Sequence, residues 1–169
     1  MGSITSASDG DTHTGGIVGY ISGTEMTDCY NSGTIIKTDR SEFVGGIVGY
    51  LGVGYSSTSG RPMEMINVSH ITNCYNSGQI ISTSSNTKKG IFGGVFISSS
   101  YSGPNAEEVC FKNCYFDSQI LGMENETYGL PTRGFTAALP AGFSQDVWKQ
   151  QAGMYPVLAT TGAGTQAQE

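Results

Sequence analysis

The hexapeptide Gly-Gly-Ile-Val-Gly-Tyr occupies residues 15–20 and returns unchanged at residues 45–50. A shorter match, Gly93-Gly94-Val95-Phe96, is the third candidate copy. Each copy is followed by a Cys-Tyr element, and the three are Cys29-Tyr30-Asn31-Ser32-Gly33, Cys74-Tyr75-Asn76-Ser77-Gly78 and Cys114-Tyr115-Phe116-Asp117-Ser118. Two elements that alternate in a fixed order define an internal repeat, and one such repeat cannot bury its own apolar face. The sequence therefore predicts about three stacked repeats with a shared core.

Short apolar segments between Gly, Asn and Ser turns predict strands along the repeats. In the first repeat we expect strands at Ile17-Val18, from Met26 to Tyr30, and at Thr34-Ile35-Ile36. Gly and Asn adopt positive φ at low cost, which suits the turns between these strands. No apolar stripe of helical period persists between residues 14 and 120. These features predict an all-β fold, a parallel β-solenoid similar to a β-helix.

Residues 14–128 carry the predicted repeats. Ten residues separate Gly19 from Cys29, but 25 separate Gly49 from Cys74, which places an insertion near residues 51–67 and a smaller one near residues 98–108. The positions expected to be structural are Gly15, Gly16, Gly19, Cys29, Gly45, Gly46, Gly49, Cys74, Gly93, Gly94, Cys114 and Trp148. A side chain at one of these glycines, as in Gly46→Val, should disrupt the stack.

The two ends of the chain differ from the repeats. Residues 1–13 form an N-terminal segment, and Met1-Gly2-Ser3 is typical of a start introduced by cloning. Residues 129–158 are expected to cap the last repeat, with Phe143 and Trp148 closing its open end. Residues 159–169 are small and polar, as in a linker to another domain.

The composition argues against several classes of function. Charged residues make up 13% of the 169-residue chain, its net charge is −6, and its longest basic run is Lys88-Lys89. Nucleic acids and anionic membranes bind basic surfaces, so neither is expected as a partner. A spanning helix needs about 18 consecutive apolar residues, and the sequence has no such run. We therefore expect no membrane insertion.

Three of the four cysteines, Cys29, Cys74 and Cys114, share one position in the repeat, and Cys110 is the fourth. The chain has no CxxC pair and two histidines, which argues against a structural zinc site. Equivalent residues of neighbouring strands lie about 4.8 Å apart, within the reach of a disulfide. The parallel direction of stacked side chains favours buried free thiols, and disulfides are the other interpretation.

The acidic residues do not form an evident catalytic pair. Glycoside hydrolysis needs two carboxylates that face each other across a groove, whereas Glu124 and Glu126 are loop neighbours. Alignment of the repeats places Asp28 beside Asn73 and Asn113, which indicates a row of turn-capping side chains rather than an active site.

Four residues before the cysteine row stand Glu25, His70 and Cys110. An acid, a histidine and a cysteine in one row follow the pattern of a nucleophilic triad. An activated thiolate needs an electropositive site, however, and this acidic chain does not indicate one. Chance occupancy of a surface row is the favoured interpretation, and we expect no catalytic residues.

The insertions supply the candidate binding residues, because insertions in repeat proteins often form the binding face. These candidates are Tyr55, Arg61, Glu64 and Tyr101. Tyr20 and Tyr50 extend this set to an aromatic platform for sugars, although packing over neighbouring repeats is the commoner role of such rings. Asp9 and Asp11 are weak calcium candidates that lack the later ligands of a calcium loop. No other metal and no cofactor are expected.

The repeats resemble the GLUG motif family, which alternates a Gly-Leu-Val-Gly-like core with an Asn-Cys-Tyr-Asn-x-Gly element. Residues 45–50 followed by Asn73-Cys74-Tyr75-Asn76-Ser77-Gly78 carry the resemblance best, and the third copy departs most from it. Trp148 followed by Tyr155-Pro156-Val157-Leu158 is similar to the segment that ends such arrays. The resemblance implies large secreted or wall-attached bacterial proteins, including adhesins, and it implies no catalytic residues.

The sequence thus favours a non-catalytic module of a bacterial surface or secreted protein, extracellular or attached to the cell wall. Its expected roles are adhesion with ligand display, or the spacing of other domains. The expected partners are a host glycan or matrix protein and neighbouring domains of a larger polypeptide. The alternative is a carbohydrate-active β-solenoid enzyme, similar to a polysaccharide lyase or hydrolase, which the fold permits but no residue set supports.

Overall fold

The computed structural model describes residues 2–7, 12–38, 43–82, 90–95, 101–124 and 126–159. Within these ranges the chain consists mostly of short strands, with a few helices of four or five residues. None of the described helices is long and apolar enough to cross a membrane. The expectation of a strand-dominated chain is therefore confirmed.

The first repeat contains five strands and is preceded by one more. The preceding strand is β1 (Ser3–Ser6), and the strands of the repeat are β2 (His13–Gly15), β3 (Val18–Ile21), β4 (Glu25–Thr27), β5 (Tyr30–Asn31) and β6 (Thr34–Lys37). The single strand predicted from Met26 to Tyr30 is divided in two because Asp28 has a φ of 54°. A left-handed residue turns the chain out of the extended direction.

The second and third repeats follow the same order, with additions. The second contains β7 (Phe43–Gly45), β8 (Val48–Leu51), β9 (Gly54–Ser56), β10 (Glu64–Ile66), β11 (His70–Thr72), β12 (Tyr75–Asn76) and β13 (Ile80–Ser82). The third contains β14 (Phe92–Val95), α1 (Ala106–Cys110), β15 (Phe111–Lys112), β16 (Tyr115–Asp117) and α2 (Ser118–Leu121). The remaining elements are β17 (Gly129–Leu130), α3 (Thr132–Thr136), β18 (Trp148–Lys149) and β19 (Val157–Leu158).

Equivalent strands of successive repeats pair in parallel. Five small sheets arise in this way, in the orders β2-β7, β3-β8-β14, β4-β11-β15, β5-β12-β16-β17 and β1-β6-β13. The register joins Tyr30 to Tyr75 and Tyr75 to Tyr115, as alignment of the Cys-Tyr elements predicts. Two further pairs, β9-β10 and β18-β19, are antiparallel.

The third copy of the hexapeptide lies four residues earlier than its sequence alignment suggests. Strand pairing matches Phe92 with Val48 and Gly94 with Tyr50, so Gly93 is the equivalent of Gly49 and not of Gly45. The Ile47 N–H donates to the Ile91 carbonyl at 2.9 Å in the same register. The alignment was wrong because it matched adjacent glycines, whereas buried Ile91 and Phe92 occupy the apolar positions that decide the stacking.

The glycines of the hexapeptide allow the backbones of successive repeats to approach each other. A Cβ on Gly49 would lie 2.7 Å from the Thr14 nitrogen, and one on Gly93 would lie 2.5 Å from the Gly49 carbonyl oxygen. A Cβ on Gly46 would overlap the Asn76 side chain and the Gly90 carbonyl oxygen. A side chain fits at none of these three positions without displacement of the backbone.

The third repeat ends in a helix where the others have a strand. The Asp117 carboxylate accepts hydrogen bonds from the Gln119 and Ile120 N–H groups at 2.9 and 3.0 Å, which begins α2 in place of a partner for β13. Leu121, at the end of α2, packs against the core cluster that contains Ile35, Val44 and Ile80. The helix thus covers the last apolar layer of the stack.

The segment predicted to cap the last repeat packs along the side of all three repeats. Trp148 contacts the rings of Tyr30 and Tyr75, and its Nε1 donates to the Asp28 carboxylate at 3.0 Å. The Cys-Tyr elements direct their tyrosines away from the central core, which leaves an aromatic surface that needs cover. Residues 131–158 supply that cover, and the end of the stack is closed by α2 with Met123 and Tyr128.

The N-terminal segment also takes part in the fold. β1 pairs in parallel with β6, and this register joins Ile4 to Ile35. The interpretation of Met1-Gly2-Ser3 as an introduced start did not anticipate a strand at Ser3–Ser6. Its pattern, Gly2-Ser3-Ile4-Thr5, matches Gly33-Thr34-Ile35-Ile36 in the strand with which it pairs.

Candidate functional site

Four aromatic rings form a stack on one face of the first two repeats. His13 lies parallel to Tyr50, with ring centroids 4.5 Å apart, and Tyr20 lies parallel to Tyr50 at 6.1 Å. Phe43 packs at an angle against His13 and Tyr50, at 5.6 and 4.8 Å. We call these four residues the aromatic stack.

The repeat itself positions the aromatic stack. Strand pairing sets His13 opposite Phe43 and Tyr20 opposite Tyr50, so each of the two repeats contributes the same two positions. Gly94 holds the equivalent position in the third repeat, and the Phe43 ring occupies the space that a side chain there would take. The stack is therefore confined to the first two repeats among the described residues.

The rings differ in exposure. Tyr20 is 55% exposed, whereas His13, Phe43 and Tyr50 are half-buried. Burial, and then the neighbouring Tyr20 phenol, raise the pKa of Tyr50 above its usual value. Tyr20 is therefore an exposed ring stacked on the half-buried rings of His13 and Tyr50. Such a ring suits the apolar side of a sugar ring, while the hydroxyl supplies a hydrogen bond.

The insertion of the second repeat is a β-hairpin formed by β9 and β10. Its register joins Tyr55 to Met65 and Ser56 to Glu64. The Tyr55 ring lies 5.0 Å from that of Tyr101, which belongs to the insertion of the third repeat. The structure thus brings together two of the four predicted binding residues. Arg61 and Glu64 are exposed at the hairpin.

The hairpin adjoins the aromatic stack. The Tyr20 hydroxyl lies over Gly52, where a Cβ would overlap it, and β9 begins two residues later at Gly54. The turn of the first repeat is also tied to the base of the hairpin, because the Gly23 N–H donates to the Asn67 carbonyl at 2.9 Å. The aromatic stack and the hairpin therefore form one surface, on which Tyr20 is the most exposed ring.

Asp28, Asn73 and Asn113 form the predicted row, and their described side-chain hydrogen bonds join them to one another and to Trp148. Asp28, Asn73 and Asn113 all have a φ of 52–54°. The Asn113 amide donates to the Asn73 Oδ1 at 3.0 Å, and the Asn73 amide donates to the Asp28 Oδ1 at 3.3 Å. Trp148 adds its indole hydrogen bond to Asp28. These carboxamide and carboxylate groups are structural, because each is engaged by its neighbours in the stack.

A second ladder runs through the Asn of each Cys-Tyr-Asn element. The Asn31 amide donates to the Asn76 Oδ1 at 2.9 Å, and both side chains also accept a hydrogen bond from the Gly N–H two residues later. Asn76 is fully buried and Asn31 is 8% exposed. The Asn and the Gly of the motif therefore act together as a turn and as a link between repeats.

The cysteine row is a ladder of free thiols. Cys29, Cys74 and Cys114 each donate to the carbonyl two residues earlier, at 3.2 to 3.4 Å. The hydrogen bond with Cys114 and burial raise the pKa of the Cys74 thiol, while burial and the nearby Cys74 raise that of Cys29. The ladder therefore acts as apolar packing, as its repeat position favours.

The Cys-His-acid row does not supply a nucleophile. His70 pairs with Glu25 in β11-β4, as the alignment predicts, and both side chains are exposed. Cys110, however, is the last residue of α1 and is 1% exposed, and burial raises the pKa of its thiol. A neutral, buried thiol is a poor nucleophile.

A cavity of about 210 Å³ lies at the end of the stack, where Glu107 and Glu126 share its lining with Phe116 and Tyr128. Glu124 is exposed and lines a separate surface groove with Arg133. The predicted neighbours Glu124 and Glu126 are thus divided between two hollows. Asp9 and Asp11 lie outside the described residues, and no group of three or more metal-ligating side chains occurs within them.

A GLUG motif model matches residues 10–36. The chain contains a GLUG motif. The matched range holds the first hexapeptide, the first members of the three ladders and two rings of the aromatic stack. No match was found among curated proteins or among solved structures.

Two rings of the aromatic stack, His13 and Phe43, escaped prediction from the sequence. The two copies of the hexapeptide begin at Gly15 and Gly45, and each ring stands two residues before its copy. An aromatic residue at the same offset in both repeats was the signal for a shared surface. The signal is weak in a sequence because His and Phe have little in common except a flat ring.

Proposed function

We propose that this chain is a non-catalytic repeat module of a bacterial surface or secreted protein, extracellular or wall-attached, that displays a ligand-binding surface. Its repeats would form a parallel β-solenoid, and neighbouring domains of a larger polypeptide would flank it. The GLUG motif and the parallel pairing of equivalent strands support the repeat module. The Cys ladder, with a member in each repeat, and the Asn31–Asn76 and Asp28–Asn73–Asn113 ladders between repeats support the solenoid.

The observation that carries the binding role is the exposed ring of Tyr20 on the rigid support of His13, Tyr50 and Phe43. Packing alone does not require a tyrosine to keep 55% of its surface in water. A host glycan is the ligand class that best fits a flat ring with a polar rim. The adjoining hairpin, with exposed Arg61 and Glu64, supplies polar groups for the rest of a glycan or for a matrix protein.

A glycan and matrix-protein array tests this proposal, with the chain applied in the presence and in the absence of calcium. We expect saturable glycan binding that is lost in Tyr20→Ala and kept in Ile81→Ala, which removes an equally exposed apolar side chain from β13. The comparison with and without calcium tests whether calcium binding, for which Asp9 and Asp11 are the candidate ligands, contributes to ligand binding. Binding that survives in Tyr20→Ala would move the site away from the aromatic stack.

A hairpin variant separates the two halves of the surface. Ser56 and Glu64 are cross-strand partners, so an Asn-Gly turn in place of residues 57–63 closes the hairpin without moving Tyr55. Loss of binding in this variant would extend the site to Arg61, and unchanged binding would confine it to the rings. No binding on any array, together with an intact fold, would favour a spacer role instead.

The cavity lined by Glu107 and Glu126 favours the second candidate, a carbohydrate-active enzyme. Two carboxylates beside one hollow are the minimum that glycoside hydrolysis requires. Release of reducing ends from the array glycans, abolished by Glu107→Gln and by Glu126→Gln, would establish this activity. Binding without any release supports the non-catalytic module.

A further inference from the structure

The first repeat presents an open face on the side away from the second repeat. Ile17 is 45% exposed, whereas its equivalents Ile47 and Ile91 are 0% and 2% exposed. The same contrast holds for other inward positions: Val18 and Cys29 are half-buried, whereas Val48 and Cys74 are fully buried. These side chains have the direction of core residues, but no described residues form a layer above them.

One strand of the missing layer is already in place. β1 pairs with β6 in the same parallel manner as β6 pairs with β13, so Ser3–Ser6 occupies the position of the last strand of a repeat. Gly2 precedes it as Gly33 precedes β6. Over β2 to β5 the first repeat has no such partner among the described strands. The interface between repeats is thus continued by β1 over part of the face only.

The two polar ladders indicate which side chains a further repeat would need in order to pack on this face. In the Asn31 ladder the Asn31 amide donates to the Asn76 Oδ1 of the next repeat, and the Asn76 Oδ1 accepts a second hydrogen bond from the Gly78 N–H. The Asn31 Oδ1 accepts one described bond, from Gly33. An Asn in a preceding layer would therefore complete this ladder.

The other ladder sets a limit on that partner. Its amides donate toward the N-terminal end, from Asn113 to Asn73 to Asp28. Asp28 cannot extend this ladder of hydrogen bonds, because a carboxylate has no N–H to donate and only accepts. A preceding layer would thus meet a negative charge at this position, where a second Asp would be repelled.

We infer that the open face of the first repeat is a docking surface for another β-repeat of the same kind, which uses β1 as its last strand and carries Asn at the Asn31 position. The docked repeat would pair in parallel with β2 to β5 and would cover Ile17, Val18 and Cys29. This role is independent of ligand binding at the aromatic stack.

An extended chain tests the inference. A second copy of residues 2–33, inserted ahead of Ser3, makes the original β1 the last strand of the added repeat. In this copy Cys29→Ser leaves the original Cys29 as the reporter thiol. Asp28→Asn in the original repeat, present in both the extended and the unextended chain, removes the repulsion between the two Asp28 side chains. We expect its alkylation to slow by at least about tenfold, because reaction would require the added repeat to open. The control carries the same insertion with Val18→Asp in the copy, which cannot enter an apolar layer.

Asp28→Asn in the original repeat supplies a second readout. In the natural chain it should lower the thermal midpoint, because it weakens the acceptor of the Asn73 and Trp148 hydrogen bonds. In the extended chain it should raise the midpoint, because the new amide at this position can donate to the equivalent Asp of the added repeat. A reversal of sign between the two chains requires the added repeat to lie directly on the original one.

Three results would overturn the inference. The first is unchanged Cys29 alkylation in the extended chain, and the second is destabilisation of repeats two and three by the insertion. A compatible repeat adds contacts, so it would not unfold its neighbours. The third is concentration-dependent protection of Cys29 in the natural chain with formation of a dimer, since a second copy would then occupy this face.

Discussion

At the scale of single residues, the glycines of the hexapeptide decide how closely two repeats approach. Gly46 is buried, and a Cβ there would overlap the Asn76 side chain and the Gly90 carbonyl oxygen. Asn76 cannot move aside, because its side chain holds the Gly78 turn and accepts from Asn31. A side chain at Gly46 therefore has no room, either toward Asn76 or toward the Gly90 carbonyl oxygen.

We predict that Gly46→Ala lowers the free energy of unfolding by at least about 2 kcal/mol, as overpacking does in rigid interiors. Chemical denaturation measures the change. Gly134→Ala in α3 is the control, because a Cβ there would lie 3.4 Å from the Leu130 Cβ, which is an ordinary contact. That control should be neutral or slightly stabilising. Equal effects of the two substitutions would contradict the close approach at Gly46.

A second residue-scale prediction concerns Asn73, which joins the first and third repeats through its side chain. Asn73→Gly keeps the positive φ but removes two hydrogen bonds, so we expect a loss of about 1–3 kcal/mol. Asn73→Ala adds the strain of a left-handed Cβ, about 1–2 kcal/mol more. The difference between the two variants in urea denaturation separates hydrogen bonding from backbone strain. Equal stability of both variants would show that φ is not fixed at this position.

At the scale of elements, the segment of residues 131–158 depends on its contact with the tyrosines of the repeats. Trp148 links this segment to the first repeat through Asp28, across 120 positions of sequence. Tyr75 links the second repeat to the same segment, because its hydroxyl donates to the Pro156 carbonyl at 2.5 Å. The segment and the repeats should therefore unfold together.

We predict that Trp148→Phe costs about 1.5–3 kcal/mol, the range for a hydrogen bond to a charged group. Combination with Asp28→Asn forms a double-mutant cycle, and we expect the joint cost to be smaller than the sum of the single costs. Strict additivity would mean that the indole and the carboxylate do not interact in solution. A separate early transition for residues 131–158 would contradict the shared unfolding.

At the scale of the whole molecule, buried phenols link stability to alkaline pH. Burial and the hydrogen bond to Asp117 raise the pKa of Tyr155 to about 12, from an ordinary value of 10.0. Burial, followed by Tyr30 and Tyr155, raises the pKa of Tyr75 as well. A raised folded-state pKa stabilises the protein below the unfolded-state value, and this stabilisation is lost as the pH rises toward the folded-state value.

We therefore predict that these phenols lower the free energy of unfolding between about pH 10 and 12, in addition to a loss that the buried thiols, whose pKa values are also raised, begin near their ordinary value of 9.0. Urea denaturation at several pH values measures this slope. Tyr155→Phe should flatten it, because the substituted ring has no proton to lose, and Tyr20→Phe on the exposed ring is the control. A slope that Tyr155→Phe leaves unchanged would assign the alkaline loss to other groups.

Most features that could be predicted from the sequence depend on short motifs. The repeat of GGIVGY and Cys-Tyr-Asn-Ser-Gly predicted strands, turns and the rows of equivalent residues, because each depends on a few neighbouring positions. The third copy failed at Gly93 and Gly94, since two adjacent glycines were a clearer signal than the apolar pair Ile91-Phe92 that sets the register. Of the candidate site, the contact of Tyr55 with Tyr101 could not be read from insertions of unknown conformation.

The sequence by itself determined the repeat, the strand-rich fold and the Asn, Asp and Cys ladders, because identical residues at identical positions stack when their strands pair. Only the tertiary structure decided where residues 131–158 pack, which rings join Tyr20, and that Ser3–Ser6 continues a sheet. Each of these depends on contacts between segments far apart in the chain. Such contacts are chosen by the apolar surface that the stacked repeats leave uncovered, and that surface exists only after the repeats have assembled.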